Sequence, residues 1–106
     1  MKVSFLSTWE TQCGVAGYTA GLVDALRAEG VEVDVVAIDR SQTQYMPVEE
    51  LIGHFSSLAD QLAEADVAHV QHEFGIYAGA YGYSVSTAVL RRVLQQLAVR
   101  GTPRTS

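Results

Sequence analysis

The residues best equipped for chemistry are Gln71, His72 and Glu73, which follow the apolar run Val67-Ala68-His69-Val70 and lead into Phe74-Gly75-Ile76-Tyr77-Ala78-Gly79. An amide, an imidazole and a carboxylate in succession can donate, accept and carry protons. Ligands of open α/β sheets bind in the crevice outside the carboxyl ends of the strands, so a polar triplet leaving a strand there is placed to meet a substrate. Side chains alternate across a strand, which puts His69, Gln71 and Glu73 on one face, and Val70 and His72 on the other. That alternation disfavours a metal pair made of His69 and His72, and no metal is expected. His72, at the strand's end, is the candidate catalytic residue. His69, inside the strand, reads as a hydrogen-bonded core histidine, and His54 falls on a helix as a solvated one. Glu73 suits either sugar hydroxyls or a salt bridge. Tyr77, Tyr81 and Tyr83 alternate with Gly75, Gly79 and Gly82 in a loop that can bend sharply. Its rings can flank a polar ligand or pack on one another.

A second candidate loop follows the first apolar run. Val3-Ser4-Phe5-Leu6-Ser7-Thr8 feeds into Trp9-Glu10-Thr11-Gln12-Cys13-Gly14-Val15-Ala16-Gly17, a polar turn closing on glycine before a helix. A helix N-terminus presents unpaired N–H groups and partial positive charge, and a glycine there admits an anion to the backbone. Gly14 is the candidate, for phosphate contact or simply for the turn. Gly17 and Gly21 read as positions where the helix packs closely on the sheet. Their spacing is neither the G-x-G-x-x-G dinucleotide fingerprint nor a phosphate loop, since no lysine follows. Cys13 lies where a thiol would be acidified, but without an identifiable base it reads as a small hydrophobe.

The elements that must position these loops alternate strand with helix. Val15, Tyr18, Leu22, Ala25 and Leu26 recur at helical spacing, and Gly30 supplies the left-handed stop. Val31 to Ile38 reads as a strand covered on both faces, because its apolar run is nearly continuous. Ser41 to Tyr45 is polar and loop-like. Pro47 can open a helix at its first position, with Glu49 and Glu50 near the positive end and Leu51, Phe55, Leu58 and Leu62 on one stripe. Val67 to Gln71 is the third strand. Val85, Val89, Leu90, Val93, Leu94 and Leu97 form a helix ending at Gly101, and residues 102–106 read as the start of another strand. The expected fold class is therefore α/β, a Rossmann-like three-layer parallel sheet. A β-α-β-α-β-α order followed by the beginning of a strand reads as the front part of a larger protein.

Composition narrows the partners. With 106 residues the chain is one domain at most, and its net charge of −5 with a pI near 5.0 argues against nucleic acid. The seven Lys and Arg residues are scattered, and the adjacent pair Arg91-Arg92 faces solvent on a helix. A single cysteine fits a reducing compartment, no run approaches a transmembrane segment, and no signal sequence precedes the first strand, so the expected location is cytoplasmic.

Taken together, the first strand ending Ser7-Thr8, the Cys13-Gly14-Val15-Ala16 turn, the apolar strand Val33 to Ile38, and Asp66-Val67 leading to Gln71-His72-Glu73-Phe74-Gly75-Ile76-Tyr77-Ala78-Gly79 resemble the N-terminal domain of a retaining family 4 type glycosyltransferase. The resemblance covers nearly the whole chain, 1–106, as the acceptor-side part of a GT-B fold whose C-terminal donor-binding domain is absent. It implies an enzyme in the intact parent, transferring a sugar from a nucleotide-sugar donor to a carbohydrate or lipid-linked acceptor with retention, without a cofactor or obligatory metal. By match, Gly14 and Val15 approach the donor diphosphate, and His72 lies near the transferred sugar. Gln71, Glu73, Gly75, Tyr77 and Gly79 fall in the matched substrate-binding segment. Arg104 departs from the family's apolar strand residue. The chain alone is expected to be inactive. The competing reading is a small nucleotide-binding or interaction module in which Asp39, at the end of the second strand, reads a ribose.

Overall fold

In the computed structural model, residues 1–8, 14–71 and 83–105 are described. They form β1 (Lys2–Thr8), α1 (Gly14–Ala28), β2 (Glu32–Ile38), α2 (Arg40–Thr43), α3 (Val48–Leu62), β3 (Val67–Val70), α4 (Tyr83–Val99) and β4 (Arg104–Thr105). All strand pairs are parallel, in the order β2-β1-β3-β4. The chain moves from β1 to one side and then crosses to the other. Right-handed crossovers in opposite directions put their helices on opposite faces, the three-layer α/β arrangement expected of the chain.

The two faces follow from strand alternation. Leu6, Ala68 and Val70 meet Leu51, Phe55, Leu58 and Leu62 of α3 and Val89, Val93 and Leu97 of α4 in one buried cluster. The α3 stripe is therefore the one its spacing predicts, but the helix begins at Val48, so Pro47 stands at the N-cap position just outside it rather than at the first helical position. On the opposite face Val3 and Phe5 pack with Val23 of α1 and Val33 of β2.

Several local expectations shift. The inward stripe of α1 is Ala16, Thr19 and Val23, while Tyr18 is 63% exposed. Apolar spacing placed Tyr18 inward because it could not count a threonine among the buried positions. Gly17 and Gly21 are exposed, with open space where a Cβ would stand, so they do not mark close packing. β2 is an edge strand, yet it is covered on both faces as its apolar run predicts: Val33 packs with Val3, Phe5 and Val23, and Val36 and Ile38 join the cluster on the opposite face, while Glu32, Asp34 and Ala37 are exposed. The segment from Ser41 is not wholly loop. Asp39 caps the short helix α2 by accepting from the Ser41 backbone N–H at 3.0 Å and from its hydroxyl at 2.6 Å. His54 is half-buried, its ring edge-on to Phe55 with centroids 5.7 Å apart, rather than fully solvated.

Helix ends are closed by matching devices. Val31 N–H bonds Leu26 C=O and Gly30 N–H bonds Arg27 C=O, with Gly30 at φ +84°. The same pattern recurs at Thr102 to Leu97 and Gly101 to Ala98, with Gly101 at φ +71°. Both are left-handed C-caps that satisfy carbonyls the helix leaves open. At the end of α3, Leu62 C=O accepts from the Ser4 hydroxyl of β1 at 2.8 Å.

Candidate functional site at the strand reversal

The sheet order fixes where a crevice lies. β1 leads leftward to β2 and is flanked on its right by β3, so the strand order reverses between β1 and β3. In doubly wound sheets that reversal opens the crevice at the carboxyl edge. Leu6 stands in register with Val70, and one step further the Gln71 N–H donates to Leu6 C=O at 3.0 Å. The ends of β1 and β3 are thus hydrogen-bonded neighbours. Gly14 opens α1, as expected of the first loop. Gln71 lies just past β3, half-buried, on the carboxyl edge. His72, Glu73, Gly75, Tyr77 and Gly79 lie outside the described residues, as does Cys13, and Val15 falls in the first turn of α1.

Two polar groupings line this edge on the α1 face. The first is a pair of buried hydroxyls. Ser7 Oγ donates to Thr8 C=O at 2.9 Å and stands 2.8 Å from Thr19 Oγ1. With the Ser7 proton so used, the Thr19 hydroxyl is the donor between them. This bond ties the second turn of α1 to the last residues of β1 and so sets the path of the helix from its N-terminus. The second grouping is His69, whose ring nitrogens reach Thr105 Oγ1 at 2.7 Å and Gln71 Oε1 at 3.2 Å. His69 is half-buried and packs its ring on Phe5, centroids 4.9 Å apart. The expectation of a hydrogen-bonded histidine sharing a face with Gln71 is met. The grouping itself was not legible in sequence, because Thr105 becomes a partner only through the pairing of β3 with β4.

The ion pairs Lys2–Asp34 and Arg100–Asp60 lie away from this edge. Lys2, at the opposite end of β1, pairs with Asp34 at 2.8 Å, and its ammonium is held above its usual pKa chiefly by that hydrogen bond and charge. Arg100 pairs with Asp60 at the far end of α4. At the carboxyl edge, Asp39 is held below the usual carboxylate range, chiefly by the Ser41 hydroxyl, which outweighs an opposing effect of desolvation, with smaller help from the Ser41 and Gln42 backbone N–H groups. Its Oδ1 is therefore committed to the α2 cap. Among the described residues no group of three or more His, Cys, Asp or Glu side chains could hold a metal ion, and no helix is long and apolar enough to cross a membrane.

No protein-family model matches the chain, and no curated protein is similar to it. A solved structure described as a phosphate-loop protein in solution is similar over 98% of this chain and 75% of its own length, at 15% identity and a TM-score of 0.43. That degree of likeness carries no functional argument.

Proposed function

We propose that this chain forms the acceptor-side part of a retaining GT-B glycosyltransferase, with a nucleotide sugar held between the crevice at the β1–β3 reversal and a donor-binding domain. The observation that carries this reading is the adjacency of the β1 and β3 ends. It brings the turn before α1 and the segment Gln71-His72-Glu73 out of neighbouring strands. In this reading the backbone at Gly14, at the positive end of α1, stabilises the departing diphosphate, and glycine is needed for its close approach. His72 contacts the transferred sugar, with Gln71 and Glu73 beside it, and the acceptor is a carbohydrate or a lipid-linked hydroxyl. The carboxyl edge carries few cations among the described residues. Backbone donors and the facing domain would therefore supply most of the diphosphate's partners.

The nucleotide-module alternative has less support, because Oδ1 of the Asp39 carboxylate that would read a ribose is engaged in the α2 cap by Ser41. The test is glycosyl transfer from a panel of nucleotide sugars by the protein together with its donor-binding domain. Gly14→Val is expected to lower kcat by about 100-fold or more, the scale of losing one preorganised donor. His72→Ala is expected to depress turnover more than stability. Wild-type transfer by both variants would overturn these roles.

A further inference from the structure

We infer that the groove between the outer side of α4 and β4 docks an acidic amphipathic helix of a partner polypeptide. β4 is the edge strand opposite β2 and pairs with β3, and among the described residues no strand lies beyond it. The groove there has a volume of about 340 Å³ and is lined by Leu90, Leu94 and Ala98 of α4 together with Arg91, Gln95 and Arg104. Leu90, Leu94 and Ala98 follow one another at four-residue steps, so they stack in a row on one side of the helix. Leu90 and Leu94 are half-buried, each packing inward on the core cluster and keeping the rest of its surface for the groove. Such a row is the ridge against which a second helix packs. β4, two residues long, offers too little backbone to recruit an added strand instead.

The chemistry of the occupant follows from charge. All 12 Asp and Glu residues lie at or before Glu73, and the charged residues beyond it are Arg91, Arg92, Arg100 and Arg104. Arg100 is taken by Asp60. Arg91 and Arg104 are exposed and form no ion pair among the described residues. A chain of net charge −5 thus keeps unneutralised cations at an apolar groove. A helix with carboxylates flanking a leucine-type stripe complements both, the stripe supplying affinity by burial and the carboxylates supplying orientation and specificity. Symmetric pairing with a second copy would set these arginines against one another. Nucleic-acid phosphates would match the arginines and leave the leucines facing water, and a flat bilayer surface does not fill a groove. This docking surface is independent of the glycosyl-transfer reading.

Titration of the full 106-residue chain with synthetic peptides, followed by backbone amide resonances, tests the proposal. The probe is a helical peptide of about 18 residues, ~27 Å long, with leucines at i, i+4, i+7 and i+11 and glutamates on the flanking positions. One control replaces the glutamates with lysines, and the other replaces the leucines with serines. The acidic leucine peptide is expected to bind with Kd of roughly 10–100 μM, shifting Leu90, Arg91, Leu94, Ala98 and Arg104, and each control to bind at least about 10-fold more weakly. Arg91→Glu combined with Arg104→Glu, both at exposed positions, is expected to reverse the charge preference by about 10-fold in each direction. The wild-type titrations decide the question even where the double variant does not fold. Absence of shifts at millimolar acidic peptide, equal binding of the lysine peptide, or shifts confined to another surface would overturn the proposal. So would tighter binding of a single-stranded oligonucleotide or of phosphatidylserine vesicles, or self-association through these residues without peptide, since each names a different occupant.

Discussion

The two faces of the sheet differ in what they leave open. Beneath α3 and α4 the apolar layer is continuous from Leu6 through Val70, and Leu51, Phe55, Leu62, Val89, Val93 and Leu97 are all fully buried. Beneath α1 the buried apolar cluster among the described residues is smaller, Val3, Phe5, Val23 and Val33, with Leu22, Leu26, Val31 and Val35 partly buried against it. It gives way toward the carboxyl edge to Ser7 with Thr19 and toward β4 to His69 with Gln71 and Thr105. The lesson is a division of labour. A closed apolar face supplies most of the burial, and that lets the other face keep polar side chains in fixed relation at the strand ends.

The largest effect that could break this contrast comes from cavity formation. Phe55→Ala, on the closed face, is expected to cost about 3–5 kcal/mol, a large part of the roughly 5–15 kcal/mol a domain has to lose. Val23→Ala, on the α1 face, removes two methyl groups and is expected to cost about 2 kcal/mol. Urea unfolding of both variants measures the difference, and equal costs would mean that the faces share the load.

A smaller effect sharpens the account of α1. Gly30 terminates the helix at φ +84°, where a side chain costs roughly 1–2 kcal/mol, so Gly30→Ala should destabilise by about that amount. Gly17 faces solvent with open space at its Cβ position, so Gly17→Ala should stabilise by about 0.4–1 kcal/mol. Destabilisation by Gly17→Ala in urea melts would show that the outer surface of α1 is packed against something, contrary to its exposure.

The smallest effect lies at the carboxyl edge and depends on pH. Folding lowers the Asp39 pKa, so its contribution is fully present above the unfolded value of about 3.9 and is lost as pH falls through the folded value. The stability gap between the wild type and Asp39→Ala should therefore be constant near neutral pH and close in acid. A gap that persists unchanged at pH 2 would remove the carboxylate from the α2 cap. Lys2 has the opposite sign, its contribution being lost only as pH rises through its raised value in the alkaline range.

How far the fold was legible in sequence depended on whether the deciding contact was local. The stripe Leu51, Phe55, Leu58 and Leu62 and the stop at Gly30 are set by residues within one helix or turn, and they stand where spacing puts them. The stripe of α1 was misread because Thr19 is buried through a hydroxyl partner on β1, which apolar periodicity does not register. The run of valines in β2 suggested cover on both faces, and Val33 on one face and Val36 with Ile38 on the other are buried, although that β2 is an edge strand needed the sheet order. At the site, the shared face of His69 and Gln71 followed from alternation alone. The Thr105 partner sits 36 residues away from His69 and needed the register of β4.

The central claim is that the β1–β3 reversal binds a sugar diphosphate, and titration of the 106-residue chain with UDP-glucose while following backbone amide resonances tests it most directly. The account predicts weak, saturable shifts, with Kd above about 100 μM because in the proposed reading one wall of the cleft would come from a donor-binding domain, concentrated at Gly14, Ser7, Thr19 and Gln71. Shifts confined to the amino edge around Lys2 and Asp66, or none at millimolar ligand, would contradict it.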